Sequence, residues 1–238
     1  MKTISIFSIW LILTSCLSNS SSNFETSSNA MQTKNRTYLA LGDSYTIGEG
    51  VEEKDRYPNQ LIQRLNIETP FSWDEAEIIA KTGWTVDELE SGIQEAKPSG
   101  KPYDLVTLLI GVNNQYRGRS VDSFRTEFEK ILLQAIDFAG SVSDHVVVLS
   151  IPDWGVTPFA SSQGANPKKV ADEIDAYNLA KESICKKHGV KFIDITEEYR
   201  QIGGEAEMLA EDQLHPSGKV YEKWTQKLTA HLLTVFTK

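Results

Sequence analysis

The chain has 238 residues, 40% of them hydrophobic and 24% charged, which is enough for one α/β domain with a sizeable core or for two small domains. This composition is ordinary for a globular protein and excludes wholesale disorder. The formal net charge of -9 argues against nucleic acid as a partner, because phosphate binding requires a basic surface.

The N-terminus has the pattern of an export signal. Lys2 supplies a positive charge, residues 4–13 are apolar apart from two serines, and small residues follow before Cys16. This apolar run is too short to span a bilayer as a stable helix. The ending Leu13-Thr14-Ser15-Cys16 resembles the bacterial lipobox, which implies a lipoprotein signal peptide over residues 1–15 and lipidation of Cys16. The alternative is an ordinary secretory signal that is cut a few residues later.

Residues 16–36 are rich in Ser, Asn and Thr and hold too few apolar residues to form a core. We therefore expect a flexible tether before a folded domain over residues 37–238. A lipid anchor and a tether would place this domain in the bacterial cell envelope, attached to a membrane. Because Leu17 rather than Asp follows Cys16, the lipoprotein sorting rule implies the outer membrane or its periplasmic face. Without the anchor, the protein would be secreted.

From Thr37 onward, short apolar runs alternate with segments of helical period. The runs are rich in Val, Ile and Leu, as expected for strands that are covered on both faces. They lie at residues 38–41, 76–80, 105–110, 145–151 and 191–193. The alternation predicts a three-layer α/β/α sandwich around a five-stranded, mostly parallel sheet.

The first predicted strand runs into Gly42-Asp43-Ser44-Tyr45. A sharp turn there would expose the Ser44 hydroxyl at the carboxyl end of the strand, where open α/β sheets place their sites. Such a hydroxyl can act as a nucleophile if a base, an orienting acid and oxyanion donors are supplied elsewhere. Taken alone, the same residues are also ordinary turn formers.

Other polar positions lie where they can supply those groups. Gly83 follows the second predicted strand and Asn113 the third, and both would meet Ser44 because parallel strands end at one edge of a sheet. Asp212 and His215 are three residues apart, so the carboxylate can face imidazole Nδ1 on one turn. The four histidines are scattered without metal-binding spacing, and neither a metal nor a cofactor is expected.

Together these segments resemble the SGNH branch of the GDSL esterase/lipase family. Its blocks occur here in the family's order: Gly-Asp-Ser, a lone Gly, Gly-x-Asn and Asp-x-x-His. The resemblance implies the flavodoxin-like SGNH hydrolase fold. It also implies Ser44 as the nucleophile, His215 as the general base and Asp212 as the residue that orients the imidazole. The implied oxyanion donors are the backbone N–H groups of Ser44 and Gly83 and the side-chain amide of Asn113.

Asn114 departs from the family pattern, which has Asp after the oxyanion Asn. The change keeps the donor at Asn113 and alters the charge beneath the loop. Candidate substrate-binding residues lie near the predicted catalytic positions: Tyr45, Trp84, Asn114, Tyr116 and Trp154. The tryptophans among them are equally at home in a core.

Two further features lie on the same predicted edge of the sheet. Arg117 and Arg119 either recognise a polar or anionic substrate or belong to a solvated loop. Residues 152–166 lack clear periodicity and would form a long loop, which in compact domains is often functional.

The sequence therefore predicts a serine hydrolase that cleaves carboxylic esters through a Ser-His-Asp triad and an acyl-enzyme, with a small-molecule ester as substrate. Small or sugar-linked acyl groups are favoured, because the predicted rim is not markedly apolar and no long hydrophobic lid segment is evident. The alternatives are a lysophospholipase-like lipid esterase and a catalytically silent lipoprotein that binds ligands at the surface.

Overall fold

The computed structural model of the protein describes residues 35–98, 100 and 102–237. The predicted signal peptide, Cys16 and most of the predicted tether lie outside the described residues. Arg36, expected in the tether, belongs to the folded body: its backbone N–H donates to the Ser72 carbonyl at 2.8 Å, and its guanidinium pairs with Asp104 at 2.8 Å. The folded body therefore begins before Thr37, because Arg36 has these partners in it.

Five parallel strands form the sheet, in the order β2-β1-β3-β4-β5. Every residue of β1, β3 and β4 is buried, which is the burial expected of continuous apolar strands with helices on both faces. The strands are β1 (Tyr38–Gly42), β2 (Glu77–Ala80), β3 (Leu105–Leu109), β4 (Val146–Leu149) and β5 (Lys191–Ile193). Within the described residues all four strand pairs are parallel, so the predicted sandwich is confirmed.

Long helices form the two outer layers. One pair, α2 and α9, packs together, and α3, α5 and α7 pack side by side in the other group. Shorter helices lie in the loops. The helices are α1 (Ser44–Ile47), α2 (Tyr57–Glu68), α3 (Val86–Ala96), α4 (Val112–Tyr116), α5 (Val121–Phe138), α6 (Pro158–Ser162), α7 (Pro167–His188), α8 (Thr196–Ile202) and α9 (Gly218–Phe236). In the part of the chain that the structure describes, none of them is both long enough and apolar enough to cross a bilayer.

The segment predicted as a long loop after the fourth strand is more ordered than its sequence suggests. It holds a 3₁₀ turn at Trp154–Val156 and the short helix α6. Side-chain caps begin both: Asp153 accepts from the Gly155 N–H, and Thr157 accepts from the Ala160 N–H. These local hydrogen bonds order the segment, although its sequence has no apolar periodicity.

Candidate active site

The turn after β1 places Ser44 at the first position of α1. Asp43 caps this short helix by accepting from the Tyr45 N–H at 3.1 Å. Gly42 is required by space, because a Cβ there would overlap the Thr46 hydroxyl and the Leu109 carbonyl. As the first residue of the helix, Ser44 has a backbone N–H without an intrahelical acceptor. The carboxyl end of β1 thus presents a hydroxyl and a free N–H donor from one residue.

His215 and Asp212 meet in a compact turn before α9. His215 Nδ1 lies 2.5 Å from Asp212 Oδ2, while Asp212 Oδ1 accepts from the N–H groups of His215 and Leu214, both at 2.9 Å. Burial alone would raise the pKa of the Asp212 carboxyl, but hydrogen bonds from the His215 ring and these backbone groups hold that pKa below its usual value. The carboxylate is therefore kept charged beside the imidazole.

Two further donors lie across the same edge. Gly83, after β2, has a φ of +86°, a conformation that L side chains rarely adopt. Asn113 lies in α4, and its Nδ2 donates to the Trp84 carbonyl at 3.0 Å. Arg117 Nη2 donates to the Gly83 carbonyl at 2.7 Å. Asn113 and Arg117 thus hold the two peptide units that follow Gly83.

One cavity of about 200 Å³ brings these groups together. Besides the predicted positions it contains four residues that sequence reasoning missed. Thr82, Val112 and Leu214 adjoin predicted positions in the chain, and Phe159 lies in the segment predicted as a loop. The full lining is Ser44, Tyr45, Thr82, Gly83, Val112, Asn113, Tyr116, Trp154, Phe159, Leu214 and His215.

Aromatic rings form one wall and the mouth of this cavity. Tyr116 is 56% exposed, and its ring meets Trp154 edge to face with 5.3 Å between centroids. Trp154 is buried, and its Nε1 donates to Gln115 Oε1 at 2.9 Å. On the other side, Tyr45 packs edge to face against the His215 ring at 5.6 Å. The wall is therefore apolar and built from fixed rings, with Tyr116 at the opening.

Two of the candidate substrate-binding residues lie elsewhere. The Trp84 ring packs over Gly92 of α3, and Trp84 serves the site only through its carbonyl. Asn114 is fully buried: its Oδ1 accepts from the Val86 N–H at 3.0 Å, and its Nδ2 donates to Glu127 Oε2 at 3.1 Å. Asn114 therefore joins α3, α4 and α5 and does not line the cavity.

The arginines beyond α4 are already engaged. Arg117 pairs with Glu88 at 3.1 Å and with the Gly83 carbonyl. Arg119 pairs with Asp87 at 2.5 Å and approaches Glu127 at 3.6 Å. Both guanidinium groups hold α3 and its loop against neighbouring elements. Neither guanidinium is among the groups that line the cavity.

The arrangement suits acyl transfer. One small pocket brings together a hydroxyl, an imidazole paired with a carboxylate, and several N–H donors. Nucleophilic attack on a carbonyl group requires these parts. Among the described residues, no group of three or more His, Cys, Asp or Glu side chains is placed to hold a metal ion.

Comparisons with known proteins identify the family and the fold of the chain. A model of the GDSL-like Lipase/Acylhydrolase family matches residues 40–223. No curated protein matches the chain. Many solved structures share the fold. TesA has a TM-score of 0.64 at 17% identity, covering 83% of this chain and 98% of that chain.

Two more solved structures have similar values. A lipase/acylhydrolase from Enterococcus faecalis has a TM-score of 0.61 at 18% identity, covering 83% of this chain and 95% of its own. Lipase Lip_vut3 from a goat rumen metagenome has a TM-score of 0.65 at 18% identity, covering 83% of this chain and 97% of its own. These likenesses establish the fold, and the family match establishes membership: the chain belongs to the GDSL-like lipase/acylhydrolase family and is a hydrolase of ester bonds.

Proposed function

We propose that the protein hydrolyses carboxylic esters of small or sugar-linked acyl groups through Ser44, His215 and Asp212. The observation that carries the proposal is the 2.5 Å contact between His215 Nδ1 and Asp212 Oδ2, in a histidine that lines one cavity with Ser44. With Nδ1 engaged, Nε2 is the ring nitrogen left to take a proton from the serine.

The reaction runs in two acyl transfers. Ser44 Oγ attacks the ester carbonyl carbon while His215 Nε2 accepts the hydroxyl proton, and the same proton then passes to the leaving alcohol as the C–O bond breaks. Water enters, loses a proton to His215 and attacks the acyl-enzyme, which releases the acid and restores Ser44. Asp212 stabilises the imidazolium at each step.

The negative charge on the carbonyl oxygen is met by neutral donors. The backbone N–H groups of Ser44 and Gly83 and the amide of Asn113 act as the oxyanion hole. Removal of one such donor typically costs about 3–4 kcal/mol of transition-state stabilisation. Asn113 uses one amide N–H to hold the Trp84 carbonyl, which leaves the second for the oxyanion.

Cavity size supports the choice of acyl group. Drug-sized ligands usually occupy pockets of about 300–1,000 Å³. The cavity at Ser44, at about 200 Å³, is smaller and is bounded by Trp154 and Phe159. A short acyl group fits such a space, and the rest of the substrate would extend past Tyr116 into solvent.

A fluorophosphonate probe tests the catalytic assignment. We expect the purified wild-type protein to be labelled and Ser44→Ala to remain unlabelled. Labelling of neither protein would refute the assignment and favour a silent binding protein. Equal labelling of both would place the nucleophile on another residue.

A series of p-nitrophenyl esters tests the acyl group. We expect kcat/KM to be highest for short acyl chains. A strong rise in kcat/KM with chain length would contradict the small-acyl assignment and favour a lysophospholipase-like lipid esterase. Acetylated oligosaccharides, assayed by acetate release, test the sugar-linked substrates directly.

The proposal also includes attachment to the bacterial cell envelope through lipidated Cys16, which is supported by the lipobox-like sequence before it. We expect wild type to enter the detergent phase on temperature-induced phase separation and Cys16→Ala to stay in the aqueous phase. If both stay in the aqueous phase, the protein is secreted without an anchor.

A further inference from the structure

Lys181 is a fully buried lysine in α7 that lies beneath the active-site edge of the sheet. Its Nζ donates to the carbonyl of Ile110 at 3.0 Å and to that of Leu149 at 2.7 Å. Ile110 directly follows β3, and Leu149 is the last residue of β4. The ammonium also lies 5.5 Å from the centre of the Phe128 ring. A buried ammonium is costly unless such partners compensate it, so this position is specialised.

A second buried charge lies on the other side of the same backbone. Asp43 is 1% exposed, and its Oδ2 is buried without a hydrogen-bond partner. The backbone N–H of Gly111 lies close enough to the Asp43 carboxylate to stabilise its charge. The peptide between Ile110 and Gly111 therefore has its carbonyl on Lys181 and its N–H toward Asp43.

We propose that Lys181 is a positioning residue for the oxyanion hole, because it and Asp43 hold the Ile110–Gly111 peptide from its two ends. That peptide leads directly into α4, which carries Asn113. Asp43 itself precedes Ser44, whose N–H is the neighbouring donor. The inference rests on the function proposed above. It explains why a lysine occupies a position that packing alone would give to an apolar residue.

The charges of the two groups are coupled. Burial lowers the pKa of Lys181 to about 7, against the opposing effects of Cys185 and Asp43. Burial likewise raises the pKa of Asp43 to about 7, against the N–H groups and the Lys181 charge. Loss of either charge removes part of the stabilisation of the other. The two residues therefore act as a unit. The effects of replacing both should differ from the sum of the effects of replacing each alone.

The test compares Lys181→Met, which keeps the length and removes the charge, with Ile174→Ala, a buried change in the same helix that leaves the ammonium in place. We expect Lys181→Met to lower kcat by about tenfold or more with little change in KM, since small displacements of catalytic groups are costly. Ile174→Ala should lose stability and keep kcat. Equal kcat in the two folded variants would overturn the inference.

The double variant Lys181→Met/Asp43→Asn gives an independent readout. It has neither buried charge, so we expect it to fold. Because both residues hold the same peptide, we expect its kcat to fall by less than the product of the losses in Lys181→Met and Asp43→Asn measured separately. Losses that multiply would show that the two residues act independently, and a double variant with the kcat of wild type would show that neither positions the oxyanion hole; either result would overturn the inference. Wild type without Ser44-dependent turnover would instead overturn the proposed function, and the inference with it.

Discussion

Asn113 Nδ2 donates a hydrogen bond to the carbonyl of Trp84, 3.0 Å away. Trp84 directly follows Gly83, so this bond ties the loop after β2 to helix α4 after β3. Gly83 and Asn113, which are proposed to supply two of the oxyanion donors, are therefore fixed relative to each other before substrate arrives. In a preorganised site of this kind, no donor has to reorient as charge develops.

Replacement of Asn113 should affect the transition state more than substrate binding. We expect Asn113→Ala to lower kcat by roughly 100- to 1,000-fold, because it removes an oxyanion donor and the tie to Trp84. Steady-state kinetics with a short p-nitrophenyl ester checks this, with Ser44→Ala as the inactive reference. A kcat close to that of wild type would exclude Asn113 from the oxyanion hole.

The adjacent Asn114 should behave in the opposite way. Its Nδ2 donates to Glu127 Oε2 at 3.1 Å, and an aspartate there would set two carboxylates against each other. We expect Asn114→Asp to reduce the free energy of unfolding by about 1–3 kcal/mol at neutral pH, measured by urea denaturation. Adding Glu127→Gln should restore much of the loss. No recovery in the double variant would mean that Glu127 is not the cause.

Acyl-chain selectivity should respond to the cavity wall. Phe159 lines the cavity and is partly buried, so Phe159→Ala enlarges the space for the acyl group. Each methylene accommodated in a hydrophobic pocket is worth about 1–3 kcal/mol. We therefore expect kcat/KM for longer p-nitrophenyl esters to rise relative to the acetate. Leu133→Ala, an exposed change on α5, should leave the ratio unaltered. An unchanged ratio in Phe159→Ala would place the acyl chain elsewhere.

Asp87 should make a small, acid-sensitive contribution to stability. Burial opposes its ionisation, yet hydrogen bonds from Arg119 and Thr85 lower the pKa of its carboxyl from 3.8 to about 2. Because this pKa is lower in the folded state, the contribution is full above the unfolded value and is lost as pH falls toward about 2. Solvent screening limits it to roughly 0.2–1 kcal/mol.

The measurement compares urea unfolding of wild type and Asp87→Asn across that range. The difference in free energy of unfolding should shrink as pH falls from about 4 to about 2. Glu95→Gln, an exposed carboxylate change on the same helix, serves as the control. A difference that stays constant with pH would show that the ionised carboxylate is not responsible.

Much of the fold could be predicted from the sequence because β1, β3 and β4 are buried on both faces and so read as continuous apolar runs. Ser44, Gly83 and Asn113 could be placed together because parallel strands deliver their loops to one edge. The chain's spacing also placed Asp212 on the same turn as His215.

The misplaced residues share a physical cause. Position along the chain puts Trp84 and Asn114 beside the site, but the direction of each side chain depends on packing against α3 and α5, which the sequence does not encode locally. Phe159 lies in a segment shaped by side-chain caps and not by apolar period. Lys181 had a signal, since it falls within the apolar stripe that Ile174 and Tyr177 share on α7.

Gly42 opens the Gly-Asp-Ser motif, yet its surroundings explain it by packing alone. The space for its Cβ is taken by the Thr46 hydroxyl and by the Leu109 carbonyl of the neighbouring strand. That glycine is thus a requirement of how closely β1, β3 and the first turn of α1 approach one another. The Gly-Asp-Ser motif therefore reflects packing as well as catalysis. A side chain at Gly42 would disrupt the packing of β1 against β3 and α1, and would impair folding before it affected the reaction.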